Sequence, residues 1–125
     1  MTIVDLEALP DDDNRYELIE GELFVSPAPG IPHQLVLNRL QFELTLFLRD
    51  HPIGRIVPGP GVVLSLYDSV IPDICFVTNE RWGEVVVNAR FEQAPNLIVE
   101  VLSPGKKNLN RDLVAKRTLL CKVRR

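Results

Sequence analysis

The segment from Asn96 to Leu102 constrains the fold of this 125-residue chain more than any other. It is an apolar run rich in β-branched residues, which is typical of a strand buried on both faces. Alternate side chains of a strand share a face, so Glu100 lies between Ile98 and Leu102 on an apolar surface. An ionised carboxylate there is costly unless it is paired or bound to a metal ion. The pattern therefore predicts a buried strand in which Glu100 is paired, bound to a metal ion or placed at a sheet edge.

A second carboxylate breaks an apolar pattern in the same way. A strand is predicted from Ile71 to Val77, in which Asp73 shares a face with Ile71 and Cys75. Two such carboxylates could converge on one cation, because Mg²⁺ takes oxygen ligands and is commonly held by one or two carboxylates. Alternatively, each carboxylate lies at a sheet edge or pairs with an arginine. The residues alone leave both interpretations open.

The remaining pattern sets the order of the elements. Residues 15–25 predict two strands around a Glu20-Gly21 turn, where glycine supplies a positive φ. A helix is predicted to begin near Pro32 and to end by His51-Pro52. Its apolar stripe consists of Val36, Leu37, Leu40, Leu44, Phe47 and Leu48.

Strands at 55–57, 61–66 and 71–77 follow, then an ambiguous stretch in which residues 84–87 could be a strand. After the strand at 96–102, an amphipathic helix is predicted from Asn108 to Leu120. This order predicts a single α+β domain over residues 1–125. Its mixed β-sheet is flanked by helices and preceded by an N-terminal β-hairpin.

Three further polar side chains fall on apolar faces. His33 lies four residues before Leu37 and faces inward, either as a neutral core histidine or as a ligand or proton carrier. Lys116 lies on the apolar stripe of the last helix, and it either points inward or forms a surface pair with Asp112. Glu17 lies beside apolar neighbours in the first strand and could add another carboxylate.

Charge and composition limit the possible partners and compartments. A net charge of −3 argues against binding nucleic acid by bulk attraction, but a metal held by carboxylates would invert the local field. No apolar run reaches the roughly 18 residues of a membrane-spanning helix, and the start of the chain lacks a secretory signal. Two cysteines are too few for a disulfide scaffold. We expect a cytoplasmic protein without a membrane partner.

Several motifs together resemble a known family. They are Tyr16-Glu17-Leu18-Ile19-Glu20-Gly21-Glu22-Leu23, Ser26-Pro27, His33-Gln34, Pro72-Asp73-Ile74, and Ala94-Pro95-Asn96-Leu97-Ile98-Val99-Glu100-Val101-Leu102-Ser103-Pro104. In this order they are similar to the Uma-two (Uma2) family of restriction endonuclease-like proteins. The resemblance runs from about Tyr16 to Lys116 and implies the fold of PD-(D/E)XK nucleases.

The resemblance also implies a function and a site. It implies a metal-dependent endonuclease that hydrolyses phosphodiester bonds of nucleic acid, with DNA as the expected substrate. Asp73, Glu100 and the Val101 carbonyl would hold Mg²⁺ or Mn²⁺. Leu102 stands where the superfamily has its lysine, so Lys116 of the following helix would supply that group.

His33 and Glu17 match recurrent positions of the family and are the remaining candidate catalytic residues. The alternative is a catalytically inactive nucleic-acid-binding or regulatory module, or a truncated remnant, of the same fold. Family members continue after the lysine with a tyrosine, a glycine turn and a strand, whereas residues 117–125 differ from that pattern. The expectation is that the final strands are missing and that the chain forms a homodimer or is a marginally stable monomer.

Overall fold

The structure, a computed structural model, describes residues 1–102. Three helices lie in this range: α1 (Ile3–Glu7), α2 (Ile31–Asp50) and α3 (Trp82–Val85). The strands are β1 (Arg15–Ile19), β2 (Glu22–Ser26), β3 (Gly54–Pro58), β4 (Val62–Ser65), β5 (Asp68–Val70), β6 (Ile74–Thr78), β7 (Val86–Val87), β8 (Arg90–Phe91) and β9 (Leu97–Val99). The predicted α+β class is confirmed. The predicted helix at 108–120, Lys116 and the question of final strands lie outside the described residues.

The predicted N-terminal hairpin is present. β1 and β2 pair in antiparallel register, and the turn residues Glu20 and Gly21 have φ values of 50° and 79°. Positive φ at both positions matches the two-residue turn whose twist suits a hairpin. The Glu20 N–H donates to the Asp68 carboxylate, and the Gly21 N–H donates to the Tyr67 carbonyl. The hairpin turn is therefore fixed against the connection between β4 and β5.

The strands divide between two sheets. The first has the order β2-β1-β5-β4-β8-β7 and is mixed, because β4 and β8 run parallel. The second, β3-β6-β9, is antiparallel throughout. The main apolar core joins Val62, Val70 and Phe91 of the first sheet to Cys75 and Val77 of the second. The strands predicted to form one mixed sheet thus face each other across this core.

The long helix α2 lies over the other face of the second sheet. Its predicted start near Pro32 and its end before His51 are confirmed. None of its residues is buried, and Val36, Leu40 and Phe47 of the predicted apolar stripe are exposed. An apolar cleft of about 190 Å³ separates the helix from the sheet; it is lined by Leu44, Phe47, Leu48, Ile53, Ile56, Ile74, Phe76, Leu97 and Val99. With no charged group among these lining residues, the cleft is unsuited to phosphate.

Several short elements differ from the sequence prediction. α1, β5 and β8 were not predicted, and the ambiguous residues 84–87 form the end of α3 followed by β7. The strand predicted at 71–77 begins only at Ile74, because Pro72 has no N–H to donate to a ladder. Within residues 1–102, none of the helices is both long enough and apolar enough to cross a membrane.

Candidate active site around Asp73

Asp73 is the most deeply buried acidic side chain that the structure describes. Its residue exposure is 2%, and it lies directly before β6 in the connection from β5. Pro72 beside it is also buried. Asp73 and Cys75, which were predicted to share a strand face, are both buried, although β6 begins only after Asp73. A carboxylate at this depth needs donors or cations around it.

Three segments of the chain contact the Asp73 carboxylate, and a fourth contacts its backbone carbonyl. Asp73 Oδ1 accepts a hydrogen bond from Arg15 Nη1 at 3.3 Å. Oδ2 accepts the Val101 N–H at 2.8 Å and lies 3.3 Å from His33 Nε2. The Asp73 carbonyl accepts the Gly59 N–H at 2.9 Å. The start of β1, the first turn of α2 and the residues after β9 therefore meet at the Asp73 carboxylate, and the β3–β4 connection contacts its backbone.

Glu17 holds the backbone segment that leads to Asp73. It is buried in β1, and its Oε2 accepts the Ile71 N–H at 2.8 Å. Arg15 and Glu17 are two residues apart in the same strand, so they share a face. Both side chains reach the segment 71–73. Glu17 accepts the backbone N–H of Ile71, and Arg15 donates to the Asp73 carboxylate. Glu17 thus positions Asp73 through the backbone.

The strand register places Glu100 near the same point. In the antiparallel pair of β6 and β9, Ile74 lies opposite Val99 and Cys75 opposite Ile98. Extending that register by one residue puts Glu100 opposite Asp73. Directly opposed residues of an antiparallel pair have Cβ atoms about 4.5–5.5 Å apart on one face. The hydrogen bond from Val101 keeps the chain after Glu100 beside Asp73, as a cation shared by the two carboxylates would need.

The candidates from the sequence have different outcomes. His33, Asp73 and Val101 are in direct contact, and His33 faces inward as predicted. Glu17 touches the same segment two residues earlier. The predicted strand at 96–102 is shorter, since β9 covers Leu97–Val99. The prediction that it is buried on both faces is wrong, because none of these three residues is buried and Leu97 is exposed. Lys116 cannot be placed, because it lies outside the described residues.

Arg15 belongs to the site, although the sequence pattern did not single it out. The alternative that a buried carboxylate pairs with an arginine holds for Asp73. The available signal was that Arg15 lies two residues before Glu17 on one face of β1. An arginine that follows an acidic turn is ordinary on a protein surface, so this signal is weak.

The turn before Arg15 is itself held by hydrogen bonds. The Tyr16 hydroxyl donates to the Asp12 carboxylate and is the main reason that the pKa of Asp12 lies below its ordinary value. The Asn14 N–H also donates to Asp12 and lowers its pKa further. These contacts fix the chain where it enters β1, and so they help to define where the Arg15 side chain starts.

The donor set can be compared with what a divalent ion requires. Among residues 1–102, no group of three or more His, Cys, Asp and Glu side chains is arranged to hold a metal ion. Mg²⁺ needs less, because it commonly takes one or two carboxylates and completes its shell with water and substrate phosphate. Asp73, with Glu100 in register and the Val101 backbone adjacent, fits that kind of open site.

Comparison with known proteins agrees with the motifs. The family described as "Uma2: Putative restriction endonuclease" matches residues 3–122. The chain belongs to the Uma2 family. The predicted resemblance is thereby confirmed over nearly the whole sequence.

A solved structure from Anabaena variabilis ATCC 29413 shares the fold of this Uma2 protein. That structure is described as a putative nuclease belonging to DUF820. It superposes with a TM-score of 0.74 at 22% sequence identity, covering 97% of this chain and 67% of the other. At this identity the likeness establishes the shared fold alone.

Proposed function

We propose that this Uma2 protein is a metal-dependent endonuclease that hydrolyses phosphodiester bonds of nucleic acid, with DNA as its substrate. The observation that carries the proposal is the position of Asp73. It is a buried carboxylate that contacts Arg15, His33 and the Val101 N–H. Extending the β6–β9 register by one residue places Glu100 opposite it. A carboxylate pair on adjacent strands is a common way to hold Mg²⁺ against a phosphate.

Each residue has a distinct role in this proposal. Asp73, Glu100 and the Val101 carbonyl would hold Mg²⁺ or Mn²⁺. When bound, the ion makes a water more acidic and offsets negative charge on the phosphate. His33 and the Val101 N–H keep Asp73 Oδ2 in place. Lys116 is proposed to steady the charge that develops on the phosphate in the transition state.

The overall charge bears on the substrate. A chain with a net charge of −3 gains little from bulk attraction to a polyanion, so binding should depend on the divalent ion. The choice of DNA rests on the family's description as restriction endonucleases. We therefore expect both affinity for DNA and cleavage to require Mg²⁺ or Mn²⁺.

Cleavage of a fluorescent duplex by the purified chain tests the proposal. We expect turnover with Mg²⁺ or Mn²⁺, none with EDTA, and a loss of about 100-fold or more in Glu100→Gln, since a metal ligand contributes several kcal/mol. Glu84→Gln is the matched control, because Glu84 is an exposed glutamate of α3. An RNA of the same sequence shows whether DNA is preferred. Equal cleavage by wild type and Glu100→Gln contradicts the assigned role.

A second candidate function is an inactive nucleic-acid-binding module. The observation that favours it is the ion pair between Asp73 and Arg15, which already gives the carboxylate a cation. Such a module would retain DNA in a binding assay, with and without metal, and leave it uncut. Metal-dependent cleavage that disappears in Glu100→Gln excludes it.

We also propose that the protein acts as a homodimer. Apolar side chains of α2 that are exposed, among them Leu35, Phe42 and Phe47, would favour association. Sedimentation velocity over a concentration series measures the assembly. A monomer at the highest concentration contradicts this part of the proposal.

A further inference from the structure

The two carboxylate oxygens of Asp73 have unequal partners. Oδ2 has the backbone N–H of Val101 at 2.8 Å and the ring of His33 at 3.3 Å. Oδ1 accepts a hydrogen bond from the guanidinium of Arg15, at 3.3 Å. The amide cannot leave without moving the chain after β9. The Arg15 contact, in contrast, can be broken by rotating one long side chain.

Arg15 is placed so that it can leave at low cost. Its side chain is 27% exposed, whereas that of Asp73 is 2% exposed. It extends from the first residue of β1, directly after an exposed turn. A guanidinium with access to water can exchange a long hydrogen bond for hydration. Asp73 cannot do the same, because it would remain a buried charge.

We propose that Arg15 is an exchangeable counter-cation for Asp73. In the metal-free protein it neutralises the carboxylate at Oδ1, and a divalent ion must displace it to bind that oxygen. This inference rests on the proposed metal dependence and adds a residue that sets how tightly the ion is held. It makes Arg15 a positioning residue, distinct from the proposed ligands.

The physical reason is competition between two cations for one oxygen. A guanidinium and a metal ion would each stabilise the ionised carboxylate, but the two cations cannot contact the same oxygen from the same direction. Binding of the ion therefore includes the loss of the Arg15 contact. A variant without the Arg15 guanidinium has no such contact to break when the ion binds. It also lacks the positive charge that would repel the incoming ion. Both effects make metal binding tighter.

Isothermal titration with Mn²⁺ in the absence of nucleic acid tests the first consequence. We expect Arg15→Gln to bind Mn²⁺ about tenfold more tightly than wild type, the scale of one charge-assisted hydrogen bond. Arg15→Lys, which keeps the charge, should fall between the two. Arg49→Gln is the control for net charge, because Arg49 is exposed near the far end of α2. Unchanged or weaker binding by Arg15→Gln overturns the inference.

Thermal unfolding provides a readout that a merely structural role would not reproduce. If Arg15 contacts Asp73 only in the metal-free state, Arg15→Gln should lower the melting temperature without metal. At saturating Mn²⁺ the difference from wild type should shrink or vanish, because ligand affinity and stability are linked. An equal loss with and without Mn²⁺ would make Arg15 a permanent structural anchor and overturn the inference.

The outcomes also separate this inference from the proposed function. Tighter Mn²⁺ binding by Arg15→Gln without cleavage by any variant supports the counter-cation and contradicts the nuclease. Cleavage by wild type with unaltered Mn²⁺ affinity in Arg15→Gln supports the nuclease and contradicts the counter-cation. Absence of Mn²⁺ binding in wild type and Arg15→Gln alike contradicts both.

Discussion

His33 and Arg15 touch the same carboxylate, but they should affect metal binding in opposite directions. His33 lies against Asp73 Oδ2, the oxygen that Val101 also holds, and it therefore orients the carboxylate. Mutation of a residue that hydrogen-bonds to a metal ligand and orients it typically weakens metal affinity by about 10–100-fold. We expect His33→Ala to weaken Mn²⁺ binding by about tenfold, measured by isothermal titration. Arg15→Gln should strengthen it.

The second histidine is the matched control for this prediction. His51 lies at the other end of α2, stacked on Phe47, and it is exposed. His51→Ala should leave Mn²⁺ affinity within about twofold of wild type, as expected for surface substitutions away from a site. A similar loss of Mn²⁺ affinity in both variants would mean that the effect comes from destabilising α2. The proposed role of His33 would then be refuted.

At the scale of residues, the sequence could predict part of the site. Asp73, Glu17 and His33 each interrupt an apolar pattern, and an interruption of this kind is visible without a structure. The partner of Asp73 was not predictable, because Arg15 is separated from it by 58 residues. Whether a buried carboxylate meets an arginine or a metal ion depends on long-range packing, which periodicity does not encode.

At the scale of elements, the contact between β3 and β6 leaves no room for a side chain at Gly54. A Cβ built there would lie 2.6 Å from Phe76 Cε2 and even closer to the Val77 carbonyl. Both neighbours belong to β6, the strand that starts directly after Asp73. We expect Gly54→Ala to destabilise the protein by about 1–3 kcal/mol, the usual cost of overpacking. Chemical denaturation measures this change.

Gly83 in α3 provides the comparison, because a Cβ there meets no atom within 4 Å. Gly83→Ala should be neutral or stabilising by about 0.4–1 kcal/mol, since alanine restricts the unfolded chain. If Gly54→Ala were equally harmless, β3 and β6 would be less closely packed than the structure shows.

Element prediction succeeded where the segments were long. The hairpin and α2 were correctly located, because a turn glycine and a 20-residue helix give strong local signals. The three-residue β5 and the two-residue β7 are too short for any periodicity to show. The division into two sheets also escaped prediction. β4 and β8 pair in parallel in the first sheet, although β6, which lies between them in the sequence, belongs to the second sheet. Such a pairing is a property of topology and not of local sequence.

At the scale of the whole molecule, the Asp73 side chain joins three parts of the chain that are distant in sequence. Its contacts reach Arg15 of the first sheet, His33 of α2 and Val101 after the last strand of the second sheet. Asp73→Ala removes all of these contacts at once and leaves the part-buried Val101 N–H without its acceptor. A buried donor left unsatisfied, together with the loss of charged hydrogen bonds, costs about 3 kcal/mol.

In a domain of about 100 residues, such a loss lowers the melting temperature by about 10–20 °C. We therefore expect a melting temperature lower by about this amount in metal-free Asp73→Ala, measured by circular dichroism. Asp50→Ala removes an aspartate from an exposed pair with Arg49 and should change stability by less than about 0.5 kcal/mol. Asp73→Asn keeps the shape and one acceptor oxygen, so its loss should lie between the two. If Asp73→Ala melted like Asp50→Ala, the contacts of the Asp73 side chain with Arg15, His33 and Val101 would contribute little to stability. Asp73 would then be free of a structural task, and its burial would have to be explained by the chemistry of the site.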